Sequence, residues 1–486
     1  MHYTISPRDM QRIEKAAFAQ GVPSLLLMEH AAEAVIEVLR RYPAKHVLFA
    51  AGSGNNGGDA LAAARLYAGH GEAVVWLPMG CKTPDAQSNL AYLRRLPQVK
   101  IIEDSALPAD LAFDAAVDGL LGTGLRGAPD AAAAAAIKAV NGLNVPVIAI
   151  DVPSGMDALT GAVYEDICIR AQSTVTFHRV KTGLYITRRR AYVGEVIIAD
   201  IGLPGICDDA EGCQVADPCD LPAFLPPRTR DMHKGACGRV VLYAGSMGMS
   251  GAAAMAGHAA LRAGAGLATV ICPREVMPIL QTQLPNAMCV DRSRLPGYVP
   301  LHDAYVFGCG IIEDEEAWQH ILSLHDPLIP AVWDAGALNL LSRHPMNVGK
   351  NTVLTPHAAE AARLLGCELA QILIDPIAAA KAIACKYGCG TVALKGATTV
   401  ITDGERVALN VVGTSALAKG GSGDALAGIL GALLAGGKTP FEAAQGACLW
   451  HGMAGLYAEK ELGGRSVLTG DVADALGKCL TETERP

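Results

Sequence analysis

Apolar residues recur at helical spacing over 9–20 and 24–40, and the pattern then changes. Short unbroken apolar runs follow at Val47–Ala51, Ala73–Leu77, Ala115–Val117 and Val145–Ile150, with helical patterns such as Ala60–Ala68 and Ala131–Val140 between them. A run with no polar alternation belongs to a strand buried on both faces, and strand–helix alternation sets such strands side by side in parallel. The pattern predicts an α/β unit whose chemistry gathers at the carboxyl ends of its strands.

The periodicity fades from Leu203 to Pro227, a segment rich in proline that carries Cys207, Cys213 and Cys219. We place a boundary there, with one domain over 1–210 and a second over 220–486. A second alternating series runs through Arg239–Ala244, Leu267–Cys272, Ala304–Phe307, Ala331–Trp333, Thr352–Leu354 and Thr391–Leu394. Two short strands, Thr398–Thr402 and Arg406–Val411, precede a glycine-rich loop and helices to the end. No sequence repeat relates the halves, so two unrelated α/β domains are expected.

Composition sharpens this. With 486 residues the chain exceeds one ordinary domain, and 51% hydrophobic with only 5% aromatic residues suits close-packed α/β layers rich in Gly and Ala. A net charge of −8 speaks against a nucleic-acid surface, and Arg188, Arg189 and Arg190, the densest basic cluster, read as a solvated turn. The fourteen cysteines form no paired CxxC motif, and Cys385 and Cys389, spaced like one helical turn, read as core or surface thiols. The apolar stretch Ala425–Gly437 is too short to span a bilayer, and Met1-His2-Tyr3-Thr4 does not open a signal peptide. A reduced, cytoplasmic setting follows as the expectation, without membrane or nucleic-acid partners.

Between the first strand and its helix stands Gly52-Ser53-Gly54-Asn55-Asn56-Gly57-Gly58-Asp59. Glycines 52, 54 and 57 fit a GxGxxG phosphate loop, a weak signal by itself. The next strand runs into Trp76-Leu77-Pro78-Met79 without the acid that an ordinary dinucleotide site uses to hold ribose. A mere tight turn leaves the two Asn and the Asp unexplained. Asp118 ends another strand before Gly122-Thr123-Gly124-Leu125-Arg126-Gly127, and Asp151 opens Asp151-Val152-Pro153-Ser154-Gly155-Met156-Asp157. One such Asp is usually a turn residue; three glycine-rich strand ends can converge on a cation and an anionic ligand.

These segments, with Lys181-Thr182-Gly183-Leu184 downstream, resemble the NAD(P)H-hydrate epimerase family over 1–202. The resemblance implies a Rossmann-like fold and substrate contacts from Asn55, Asn56, Gly57, Gly58 and Asp59, and from Gly122, Thr123, Gly124, Leu125, Arg126, Gly127 and Ala128. It implies potassium held by Asn56, Asp118 and Ser154, with Asp151 touching the hydrated ring as acid/base and Lys181 as its electrostatic partner. Ala60 stands where the family usually has Gly, and Met28-Glu29-His30-Ala31-Ala32 where it usually has Met-Glu-Asn-Ala-Gly.

The strongest motif is Gly413-Thr414-Ser415-Ala416-Leu417-Ala418-Lys419-Gly420-Gly421-Ser422-Gly423-Asp424, leading into an apolar helix. Glycines at a helix start expose N–H groups to a phosphate, and an Asp in the first turn can take a proton from an attacking hydroxyl. A plain helix cap needs the Asp but no glycine cluster. Lys395-Gly396-Ala397-Thr398-Thr399 joins two strands as a backbone clamp, and Thr355-Pro356-His357-Ala358-Ala359-Glu360 sets a His beside a helix start, where it could equally be an ordinary loop residue.

Together with Met232–Arg239 and the Gly245–Gly266 stretch, these resemble the ribokinase-like NAD(P)H-hydrate dehydratase family over 225–480. The resemblance implies nucleotide binding by Lys395, Gly396, Ala397, Thr398, Thr399 and Gly423, and hydrate contacts from Ala253, Gly310 and His357, with Asp424 activating the hydroxyl. It also implies ADP as phosphoryl donor with Mg²⁺. Three positions depart: Gly308-Cys309-Gly310-Ile311-Ile312 replaces Gly-Pro-Gly-Leu-Gly, Ala359 replaces Gly, and Asp334-Ala335-Gly336 replaces Asp-Ala-Asp. The expected task is repair of hydrated NADH and NADPH by a homo-oligomeric enzyme. Its rival is a vitamin kinase joined to a non-catalytic binding module, which the retention of Asp59, Asp118, Asp151 and Ser154 disfavours.

Overall fold

The computed structural model describes residues 1–187, 190–208 and 210–483, so Arg188 and Arg189 lie outside the described residues. The chain divides into two units, one of Tyr3–Cys213 and one of Met1–His2 with Gln214–Pro486. It opens on the two-residue strand β1 (His2–Tyr3), an edge of the second sheet. The first two residues therefore join the second unit, which no local pattern signals.

In the first unit the strands are β2 (His46–Ala51), β3 (Glu72–Trp76), β4 (Val99–Ile102), β5 (Ala115–Gly119), β6 (Val147–Ile150), β7 (Ser173–Phe177) and β8 (Glu195–Ala199). They form a seven-stranded sheet in the order β4-β3-β2-β5-β6-β7-β8. Every pair in it is parallel. Successive residues of β2 serve opposite faces: Val47, Phe49 and Ala51 enter one hydrophobic layer, Leu48 and Ala50 the other. The sequence reading named no strand at β4, β7 or β8, although β8 carries the apolar run Val196–Ala199. Ser173, Thr174 and Thr176 break up the sequence of β7, and it is tertiary burial that makes it a strand.

The second unit contains β9 (Gln214–Val215), β10 (Arg239–Tyr243), β11 (Leu267–Cys272), β12 (Met288–Asp291), β13 (Ala304–Phe307), β14 (Ala331–Trp333), β15 (Thr352–Leu354), β16 (Thr391–Leu394), β17 (Thr399–Thr402) and β18 (Val407–Asn410). The order β1-β9-β18-β17-β16-β15-β14-β13-β10-β11-β12 makes an eleven-stranded sheet, with β17 antiparallel to both β16 and β18. The helix Ser422–Ala435, buried from Ala425 to Leu434, crosses this sheet beside the helix Ser250–Arg262. Among the described residues no helix is long and apolar enough to cross a membrane. Cys385 lies in the helix Pro376–Tyr387 and is exposed, whereas Cys389 lies beyond its left-handed Gly388 cap and is buried. The two thiols do not share a helical turn, because the helix ends between them.

Candidate active sites

In the first unit the helix begins at Asn55, earlier than the apolar spacing from Ala60 suggests, so Asn55, Asn56, Gly57 and Gly58 form its first turn. Glycine is required there: a Cβ on Gly57 would stand 1.9 Å from the Gly52 carbonyl oxygen. Asn56, Asp118 and Ser154 meet around the backbone of Leu121. Asn56 Nδ2 donates to Leu121 O at 2.9 Å, and Leu121 N donates to Ser154 Oγ at 2.8 Å. Asp118 is wholly buried and accepts from Ser154 N (2.9 Å), Ser154 Oγ (2.6 Å) and Leu120 N (3.2 Å). Burial pushes its carboxyl up to about 6 against those hydrogen bonds. Among the described residues no lysine or arginine contacts Asp118, and the side chains gathered around it offer oxygen donors.

Asp151 follows β6 at φ +62°, a left-handed conformation that a non-glycine residue adopts only when its surroundings over-determine it. Its Oδ1 accepts from Lys181 Nζ at 2.5 Å and Thr176 Oγ1 at 3.1 Å. Lys181 has no exposed surface and donates also to Phe177 O at 2.9 Å. Burial raises the Asp59 carboxyl well above the usual range, with the charges of Asp151 and Glu14 adding to it and Lys181 opposing. Glu14, raised by burial against the attraction of Lys181, is a residue the sequence reading missed. It belongs to the helix Pro7–Ala19, which Ser6 caps, and the bridge from Ile5 to Lys181 anchors the start of that helix to the site.

The second glycine loop lies on the rim. Gly124 and Ala128 are exposed, and Arg126 turns its guanidinium back on Thr123 O (3.1 Å) and Leu125 O (2.9 Å). Leu125 and the left-handed Gly127 continue this rim. His30, where the family carries Asn, binds Ile201 O through Nδ1 at 2.9 Å and so braces the backbone after β8.

In the second unit Asp424 stands in the first turn of the helix Ser422–Ala435, after Gly421 at φ +92°. Burial, seconded by the charge of Asp334, pushes its carboxyl up to about 6. Asp334, 2% exposed, closes β14, and its Oδ1 accepts from Lys395 Nζ at 2.6 Å and Thr355 Oγ1 at 2.7 Å. The pair lies under Gly423: a Cβ there would stand 3.3 Å from Lys395 Nζ and 3.6 Å from Asp334 Oδ2. Lys395 N donates to Pro356 O at 2.8 Å, which joins the Lys395–Thr399 turn to the Thr355–Glu360 segment. In that turn Gly396 and Ala397 are exposed, Thr398 is half-buried and Thr399 begins β17.

His357 caps the helix Ala358–Leu365, accepting from Ala359 N at 3.1 Å and Glu360 N at 3.3 Å, while Glu360 Oε2 accepts from His357 N at 2.8 Å. Gly310 faces the helix that carries Ala253: a Cβ on it would lie 2.6 Å from Met249 O and 2.8 Å from Ala252 Cβ. Ala253 itself is buried. Sequence reasoning did not find His451, whose Nε2 lies 3.4 Å from Ser422 Oγ, or Cys309 beside Asp424. His451 sits mid-helix in Pro440–Leu462, where spacing alone reads it as core.

A carboxylate–lysine pair beside each of two glycine-rich helix starts, with Asp424 in the first turn of the second, marks a two-domain α/β chain with one candidate active site in each unit. Comparisons with known proteins agree. A family model described as YjeF-related protein N-terminus matches residues 24–183, and one described as NAD(P)H-hydrate dehydratase matches 240–478. The bifunctional NAD(P)H-hydrate repair enzyme Nnr of Escherichia coli (strain K12) is 37% identical over 97% of this chain and 93% of its own length. The enzyme of the same name from Pyrobaculum aerophilum is 35% identical over 95% of each chain. The ADP/ATP-dependent NAD(P)H-hydrate dehydratase of Bacillus subtilis, co-crystallised with ATP/Mg²⁺, superposes with a TM-score of 0.52 at 29% identity, covering 57% of this chain and all of that one. The chain belongs to the bifunctional NAD(P)H-hydrate repair enzymes, an epimerase unit joined to a dehydratase unit.

Proposed function

We propose that the first unit interconverts the R and S hydrates of NADH and NADPH, and that the second dehydrates the S form at the expense of ADP, releasing AMP and phosphate. The observation that carries the first half is the contact of Lys181 with Asp151 near Asp59, whose carboxyl burial raises above its usual range. Epimerisation must break the C–O bond at the hydrated carbon and remake it on the other face. Asp59 can give a proton to the departing hydroxyl, and Asp151, steadied by Lys181, can take one from the returning water. Asn55–Asp59, at a helix start, and Gly122–Ala128 would take the substrate's phosphates. Asn56, Asp118 and Ser154 would hold potassium, which supplies the positive charge that the buried Asp118 lacks.

In the second unit Asp424 takes the proton of the substrate hydroxyl, whose oxygen then attacks the terminal phosphoryl group of the nucleotide. The phosphate ester leaves more readily than hydroxide; loss of a proton from the adjacent carbon restores the nicotinamide double bond. Lys395–Thr399 and Gly423 would hold the nucleotide, with Ala253, Gly310 and His357 on the hydrate side. Mg²⁺ bound with the nucleotide would shield the phosphates. Fourteen free cysteines suit a reducing cytoplasm. The test is one incubation of the protein with both epimers and ADP or ATP. Recovery of reduced-nicotinamide absorbance from both epimers with AMP release supports the reading; transfer of phosphate without recovery would establish the kinase instead.

A further inference from the structure

Cys309 stands where the dehydratase family usually has proline, in the turn after β13. Gly308 at φ +115° and Gly310 at φ +66° flank it, and this backbone turns the side chain inward, where it has no exposed surface. Its Sγ and carboxylate oxygens of Asp334 and Asp424 lie within 4.8 Å of one another. The thiol is therefore near enough to the Asp424 carboxylate for each to bias the ionisation of the other.

The neighbours of Asp424 are otherwise committed. Asp334 Oδ1 is occupied by Lys395 Nζ and Thr355 Oγ1, so the lysine spends its nearest contact on Asp334. Glu360 lies beyond Lys395 and adds only to the lysine's negative surroundings. On the same helix as Asp424, Ser422 Oγ is engaged with His451 Nε2 of the helix Pro440–Leu462. Among the described residues, the titratable and charged groups that act on Asp424 are therefore Cys309, Asp334 and Lys395, with His451 held off on Ser422. The nearest carboxylate repels Asp424's charge, and Cys309 brings an S–H to it.

We propose that Cys309 is a positioning residue of the dehydratase unit, its S–H donating to the Asp424 carboxylate and aiming the second carboxylate oxygen at the substrate hydroxyl. This rests on Asp424 being the base. The thiol is suited to remain a donor, because burial and the charges of Asp424 and Asp334 hold it in its protonated form. A proline at this position has no donor to offer. The thiol also favours the ionised form of Asp424, so its removal must raise the pH at which Asp424 loses its proton.

The experiment measures dehydration by the whole protein between pH 5 and 9 for wild type, Cys309→Ala, Cys309→Ser, Asp424→Asn and the double variant Asp424→Asn/Cys309→Ala. Cys309→Ala is expected to lower kcat about tenfold and shift the acid limb of the pH–rate profile upward by roughly one unit, with the nucleotide KM within about twofold. Cys309→Ser, which keeps a donor, recovers part of both effects. In the Asp424→Asn background the alanine change costs nothing further, because no carboxylate is left to position. A denaturant-unfolding midpoint of the second unit in Cys309→Ala close to wild type shows that this unit is folded. An acid limb that stays in place, or the same loss in both backgrounds, assigns Cys309 to packing and overturns the proposal. Full dehydration by Asp424→Asn itself would instead remove the base, and with it the residue's task.

Discussion

The two glycine-rich helix starts use their lysines in opposite ways. In the first unit Lys181 binds Asp151, the proposed proton-transfer residue, at 2.5 Å; in the second Lys395 binds Asp334 at 2.6 Å and leaves Asp424 without a lysine contact. A step that takes a hydroxyl off one face of a carbon and returns it to the other is served in the first unit by an ion-paired carboxylate, Asp151, with Asp59 as its neighbour. A base that must strip a hydroxyl gains from a higher affinity for the proton. Burial and Asp334 provide that by lifting Asp424 to about 6, still ionised at neutral pH. The lysine thus contacts the proposed proton-transfer carboxylate in one unit and that carboxylate's neighbour in the other.

The largest expected effect separates the two halves. Asp424→Asn should reduce dehydration by on the order of 10²–10⁴ and leave epimer exchange within about twofold, and Asp151→Asn should do the reverse. Chromatography of the epimers beside an AMP assay reads both, and equal slowing of both activities by either variant would erase the contrast. Next is Lys395→Met, which strands the charge of Asp334 at 2% exposure; denaturant unfolding should show a loss of about 3–5 kcal/mol in the second unit. An unchanged midpoint would mean that Asp334 does not need its partner.

A smaller effect comes from His451, whose ring burial, helped by the charge of Lys395, pushes its pKa down to about 4. Its folded value lies below the unfolded value of about 6.5, so its contribution to stability is complete above pH 6.5 and fades as pH falls toward 4. His451→Gln should remove up to about 3 kcal/mol of acid sensitivity across that window. Parallel curves for wild type and variant would count against a neutral buried ring. The smallest effect sharpens the first site alone. Asp118→Ala should weaken the potassium dependence of substrate binding by about tenfold, measured by titrating epimerisation with potassium against sodium; equal activity without potassium would withdraw the cation from that site.

How legible these sites were varies by residue. Asp424 and the Gly420–Gly423 loop were readable because glycines and an acid at a helix start are contiguous in sequence, as were Asn55–Asp59. Glu14 was not, since a glutamate on the polar side of an amphipathic helix is indistinguishable from any solvated one until Ile5 bridges to Lys181. His357 illustrates the opposite: its motif was plain, but its Nδ1 is engaged in capping the helix it introduces.

The sequence by itself determined the strand–helix alternation, the parallel arrangement and the glycine loops, because these depend on local periodicity and on backbone that tolerates no Cβ. Tertiary structure alone decided that β7, with its threonines, is buried as a strand. It decided too that the chain's first two residues join the far unit, and which carboxylate each lysine meets. Those outcomes turn on Lys181 meeting a residue 30 positions before it and Lys395 one that is 61 positions away, and no spacing rule reaches across a sheet. Charge pairing and burial are properties of the assembled sheet edge, where residues far apart in the chain share one low-dielectric pocket.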